Sequence, residues 1–199
     1  MGSNKSTVSG RYIILVGVCS FIIAVAFTAL SECFASGLNS IALSLVFLII
    51  ITTINILGDV VGTAATAASH APFNAKAAKK IRGASQGLQL VKNADRVANI
   101  ANDVIGDITT TVSGALGISI VAQIVRSNPR SDQFWLNVLA TALISAAIIT
   151  GKACGKRYSL SHPDRVVFFV GSILARLESL TGISFFKQRG LRSKQKVVK

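Results

Sequence analysis

Asn99-Ile100-Ala101-Asn102-Asp103-Val104-Ile105-Gly106-Asp107-Ile108-Thr109-Thr110-Thr111 opens an apolar run that continues to Val125. Asp103 and Asp107 are four residues apart, so on an α-helix they share one face. Asn99 and Thr110 fall on that face as well, about one turn to either side. One charge at a bilayer centre costs at least ~2.5–3.5 kcal/mol, so such carboxylates need a cation, a proton, water or another helix. The run is therefore expected to be a membrane helix that lines a cation site.

The bulk composition supports a membrane setting. The 199 residues are 51% hydrophobic and only 15% charged. Soluble domains average about 25% charged residues. Four runs have the length and polarity of spans, about 12–30, 41–69, 98–125 and 136–151, set against the roughly 20 apolar residues that cross a bilayer. The first is longer than a signal-peptide core and is expected to be retained. Glu32 to Asn39 is expected to be a short polar turn. The fold class expected is an all-α integral membrane protein of about four transmembrane helices with cytoplasmic juxtamembrane amphipathic helices.

Those amphipathic helices fall at 73–97, where Lys76, Lys79, Lys80, Arg82, Lys92 and Arg96 alternate with Ile81, Leu88, Leu90 and Val91. Pro72 starts this segment and Gly83 divides it. Residues 164–186 are apolar but carry Arg176 and Glu178, so a helix docked at the interface is expected rather than a fifth span. The organisation is residues 1–40 as a first span with its outer turn, 41–186 as the main membrane domain, and 187–199 as a basic cytoplasmic tail.

The net charge is +13, and all but two of the 21 Lys and Arg lie in segments placed on one side; Arg126 and Arg130 are the exceptions. The positive-inside rule then puts both termini in the cytoplasm and the protein in the plasma (inner) membrane. This basic charge points to anionic lipid headgroups in the bilayer rather than to nucleic acid. No nucleophile elbow, phosphate loop, zinc motif or histidine dyad is present, so neither an enzyme nor a cofactor is expected.

Hard cations prefer carboxylate, amide, hydroxyl and carbonyl oxygens. Asp59, Asn99, Asn102, Asp103, Asp107 and Thr110 supply such a set, with Asn55 beside them. Asp59 lies at a similar depth to the other two acids, so the three are expected to converge; the alternative is that Asp103 and Asp107 lie at the inner membrane boundary, facing water or pairing with Lys92 or Arg96. Helix breaks near Gly58 and Gly106 would add backbone carbonyls. Expected from this is cation transport, with Mg2+ or another divalent ion first. The alternatives are a non-transporting scaffold with a basic face, and a sodium- or proton-coupled carrier of a small solute.

Five short segments follow in order: Ala64-Ala65-Thr66-Ala67-Ala68, Asn93-Ala94-Asp95-Arg96, Ala101-Asn102, Gly151-Lys152-Ala153-Cys154-Gly155-Lys156 and Pro163-Asp164-Arg165-Val166. In order and spacing they resemble the transmembrane domain of the CNNM/CorC family of magnesium transporters, over roughly two thirds of the chain. The resemblance implies a membrane bundle, a homodimer, and a site role for Asn102. It departs where the family's two glutamates are Ala65 and Lys152 and its prolines are Ala94 and Gly155. The first span is extra, and the family's regulatory nucleotide-binding domains have no counterpart in these residues.

Overall fold

The structure is a computed structural model that describes residues 10–37 and 40–182, with side chains from 14 to 29 and from 40 to 182. All regular elements among the described residues are helical. They are α1 (Gly10–Gly37), α2 (Ile41–Ala67), α3 (His70–Ala78), α4 (Ala84–Lys92), α5 (Ala94–Ala98), a π-helical segment (Asn99–Ile105), α6 (Gly106–Ser127), α7 (Gln133–Ser161) and α8 (Pro163–Thr181). Among the described residues three helices are long and apolar enough to cross a membrane: Ile41–Ala67, Ala94–Ser127 and Gln133–Ser161. In α1 the described apolar stretch is Ile14–Ala29.

Local chemistry sets the breaks. Asn128-Pro129 follows α6, since proline disfavours helix in the residue before it. Asp132 then caps α7 by accepting from the Phe134 backbone N–H at 2.9 Å. Pro163 sits in the first turn of α8, where its missing N–H costs nothing. Pro72 lies in the first turn of α3, and Gly83, at φ 86°, launches α4.

Two boundaries differ from expectation. The polar turn placed at 32–39 is helical as far as Gly37, because the turn's residues simply extend α1. The fourth span does not stop at 151 but runs to Ser161, so Lys152, Lys156 and Ser159 are helix positions. No break occurs at Gly58, through which α2 passes intact. The 187–199 tail lies outside the described residues.

α2 is the hub. It packs on α6, α7, α5, the π segment and α8, while α1 leans mainly on α6. One core joins α2 to α6 through Phe47, Ile51, Ile108, Val112 and Leu116. In the apolar windows, 44% of the Ala94–Ser127 helix is buried but only 6% of α7. The outward faces of α1, α2 and α7 carry Phe21, Ile49 and Ile149, each more than 60% exposed, as helices facing lipid do.

A second core lies at the end of the bundle where α2 finishes. Ala64, Phe73, Leu90, Val91, Val166 and Val167 bind α3, α4 and α8 to the end of α2. The α4–α8 contact is backbone-close. A Cβ on Gly171 would lie 2.5 Å from the Gly83 carbonyl oxygen and 2.7 Å from the Gly87 nitrogen. Backbone cannot yield as a side chain can, so Gly171→Ala is expected to cost about 1–3 kcal/mol. Thermal unfolding in detergent should show it as a lower midpoint than wild type.

Candidate functional site

The candidate site is the seam between α2, the π segment and α7. Asn55, Asp59 and Gly62 recur at steps of four and three on α2, hence on one stripe. All three are buried; Asn55 is 0% and Asp59 3% exposed. Glycines let the neighbouring helix close in. A Cβ on Gly58 would sit 2.9 Å from the Ala101 carbonyl oxygen, and one on Gly62 would overlap the Asn102 carboxamide.

The π segment sets which residues face α2. Its turn takes about one residue more than an α-turn. The buried positions accordingly step by five from Ala101 to Gly106, then by three and four to Thr109 and Ser113. Asp103 and Asp107 fall outside that stripe and are exposed; Asp103 Oδ2 accepts from Asn99 Nδ2 at 3.0 Å. An unbroken α-period places Asn99, Asp103, Asp107 and Thr110 together; Asn99 and Asp103 remain paired, but Thr110 meets Asn55 on α2 instead. The structure thus brings Asp59, Asn102 and Thr110 to the seam and leaves Asn99, Asp103 and Asp107 off it. Among the described residues no three His, Cys, Asp or Glu gather as a metal site, so the convergence expected of the three acids is not seen.

The hydrogen bonds are specific. Asn55 Nδ2 donates to Thr110 Oγ1 at 2.7 Å, and Thr110 Oγ1 donates to the Gly106 carbonyl at 2.8 Å. Thr109 Oγ1 donates to the Ile105 carbonyl at 2.6 Å. Three oxygens of the seam are left over: among the described residues, Asn55 Oδ1, Asp59 Oδ2 and Asn102 Oδ1 are buried with no hydrogen-bond partner. Each is an acceptor, and leaving a buried acceptor unmet costs about 1–3 kcal/mol.

α7 brings two ammonium groups to the same seam. Lys156 Nζ lies 3.6 Å from Asp59 Oδ1, and its side chain is half exposed. Lys152 Nζ stands in the notch left by Gly106, 3.5 Å from where a Cβ would be, with Asn55 Oδ1 3.7 Å from the same point. One turn beyond Lys156, Ser159 Oγ shares its one hydrogen between the Gly155 carbonyl at 2.9 Å and the Val60 carbonyl at 3.0 Å, so it touches both α7 and α2.

No family model, curated protein or solved structure matches this chain. What the site can do therefore rests on its own chemistry. One carboxylate and two carboxamide oxygens suit a hard cation. The two lysines, opposite one aspartate, raise the local charge and oppose a free divalent ion. Sequence reasoning passes over these lysines because basic residues after an apolar run look like a span's end. Their spacing of four, followed by a step of three to Ser159, is the signal that α7 carries them on one face toward α2.

Proposed function

We propose that this chain is a membrane cation transporter, with Mg2+ or another divalent ion first, and that α1 is a fourth span with both termini cytoplasmic. The observation that carries it is the set of three buried acceptor oxygens without partners, on Asn55, Asp59 and Asn102. Asp59 lies ~27 Å along α2 from Ile41 at 1.5 Å per residue, close to the far edge of a ~30 Å hydrocarbon layer. Positive-inside charge makes that edge the cytoplasmic one. In this account Lys152 and Lys156 are tethered counter-cations that an arriving ion displaces. The CNNM/CorC resemblance points the same way at Asn102 and departs at Lys152, where that family has a glutamate.

A second reading is favoured by one observation: Lys156 already neutralises Asp59. An ion pair complete in itself fits a scaffold that transports nothing. Thermal unfolding in detergent, titrated with Mg2+, Ca2+, Mn2+ and Na+, separates the two, because a ligand of the folded state raises its stability by mass action. For a transporter, one ion gives a saturable upward shift, Asn102→Ala weakens it, and Asp103→Asn/Asp107→Asn leaves it unchanged. Lys152→Met should strengthen it. Removing one positive charge roughly 5 Å from a divalent ion is worth ~1.7 kcal/mol even at the dielectric of water. The half-saturating concentration is then expected to fall more than about tenfold. A scaffold gives no shift with any ion in any variant.

A further inference from the structure

Among the described residues, the cap formed by α3, α4 and α8 leaves one face of α8 uncovered. On α8, Val167, Gly171 and Ala175 are buried against the cap and α2. Phe169, Ile173, Leu177 and Leu180 are exposed, Phe169 by 67% and Leu180 by 82%. At 100° per residue these four occupy an arc of about 80°. Exposed apolar stripes of this kind mark contact with a membrane or a partner. Arg165 and Arg176, both exposed, lie along one edge of the arc, between it and the polar side of the helix. Lys76 Nζ, 4.3 Å over the Phe168 ring, adds a cation on that polar side.

We infer that α8 is an interfacial helix that lays Phe169, Ile173, Leu177 and Leu180 into the acyl boundary of an anionic leaflet, with Arg165 and Arg176 on the headgroup phosphates. Three features select lipid as the occupant. The stripe is amphipathic in the sense of a helix lying in the interface plane, apolar on one arc and cationic at its rim. The charge complements an anionic surface, whereas a second copy would bring the same basic rim, from a chain of net charge +13, against itself. The helix is also joined to the membrane. It follows α7 after a single residue, His162, and packs on the end of α2, so it starts at the edge of the bundle. Ser69, just past α2, donates its backbone N–H to Asp164 Oδ1 at 3.1 Å and holds the start of α8 there. This inference does not depend on cation transport.

The test uses the full chain with Cys19, Cys33 and Cys154 replaced by serine. Single cysteines at Ile173, Leu177 and, as an aqueous control, the exposed Ser85 on α4 are labelled with nitrobenzoxadiazole. The protein is placed in nanodiscs of phosphatidylcholine with or without phosphatidylserine. Labels at 173 and 177 are expected to be quenched by nitroxide-bearing lipid and shielded from aqueous iodide, with Ser85→Cys the reverse. Phosphatidylserine should deepen the lipid quenching at 177, and Arg165→Gln/Arg176→Gln should abolish that increase. All labelled positions lie on exposed surface, so folding is not at stake. Iodide access at 173 and 177 equal to that at 85 would overturn the proposal. So would shielding from both quenchers, which means protein covers the face, or quenching indifferent to phosphatidylserine.

Discussion

Lys156→Met is expected to lower stability by about 3 kcal/mol, the largest loss among single substitutions in the seam. The substitution keeps the aliphatic length of the side chain and removes the ammonium that stands 3.6 Å from Asp59. Asp59 is 3% exposed, and its Oδ2 already lacks a partner. Without Lys156 the carboxylate is left buried and uncompensated. Breaking one side of a buried ion pair costs about 3–5 kcal/mol, and the lower end applies because Lys156 is itself half exposed. The double variant Asp59→Asn/Lys156→Met should recover most of the loss, since no charge is then stranded. A thermodynamic cycle of these variants, read by thermal unfolding in detergent, checks it. Additive losses would mean that the two groups do not interact.

Gly62→Val is expected to act on both stability and ion response. Any Cβ at this position overlaps the Asn102 carboxamide. Asn102 has to leave, and with it goes one of the three acceptor oxygens of the seam. The neighbouring Gly58 leaves little slack, since a Cβ there would lie 2.9 Å from the Ala101 carbonyl. The π segment is thus held against α2 at two points, and prying one open costs about 1–3 kcal/mol by overpacking. The expected result is a lower unfolding midpoint together with loss of the cation-dependent shift. Gly114→Val is the control. Among the described residues nothing from a neighbouring helix lies within 4 Å of a Cβ there, so both readouts should stay near wild type.

These two substitutions also show which parts of the molecule the sequence makes legible. Apolar runs of span length and the punctuation at Pro72, Gly83, Pro129 and Pro163 suffice to place most of the helices, because lipid burial and proline sterics act locally. Asp59 is legible as a residue in need of a partner, since an acid in an apolar helix is costly wherever it sits. The identity of that partner is not. Lys156 is nearly a hundred residues away, and only the extension of α7 to Ser161 turns it from a flanking charge into a facing one.

The π segment is the larger gap. Its residues, Asn99 to Ile105, carry no side-chain signature that separates a five-residue step from an α-turn. The choice is made by tertiary packing of Ala101 and Asn102 on Gly58 and Gly62. Sequence phase therefore keeps Asn99 beside Asp103 but does not show that Ala101 and Asn102 are the residues turned to α2. Asp103, one residue from Asn102, ends up exposed while Asn102 meets α2.

Ion flux tests the transport role of the seam. Purified protein in liposomes loaded with a fluorescent Mg2+ indicator is expected to give saturable Mg2+ influx that Asn102→Ala slows severalfold and Asp103→Asn/Asp107→Asn leaves unchanged. Influx no faster than in protein-free liposomes, for Mg2+ and for Ca2+, Mn2+ and Na+ with matching indicators, would contradict a transport role for the seam.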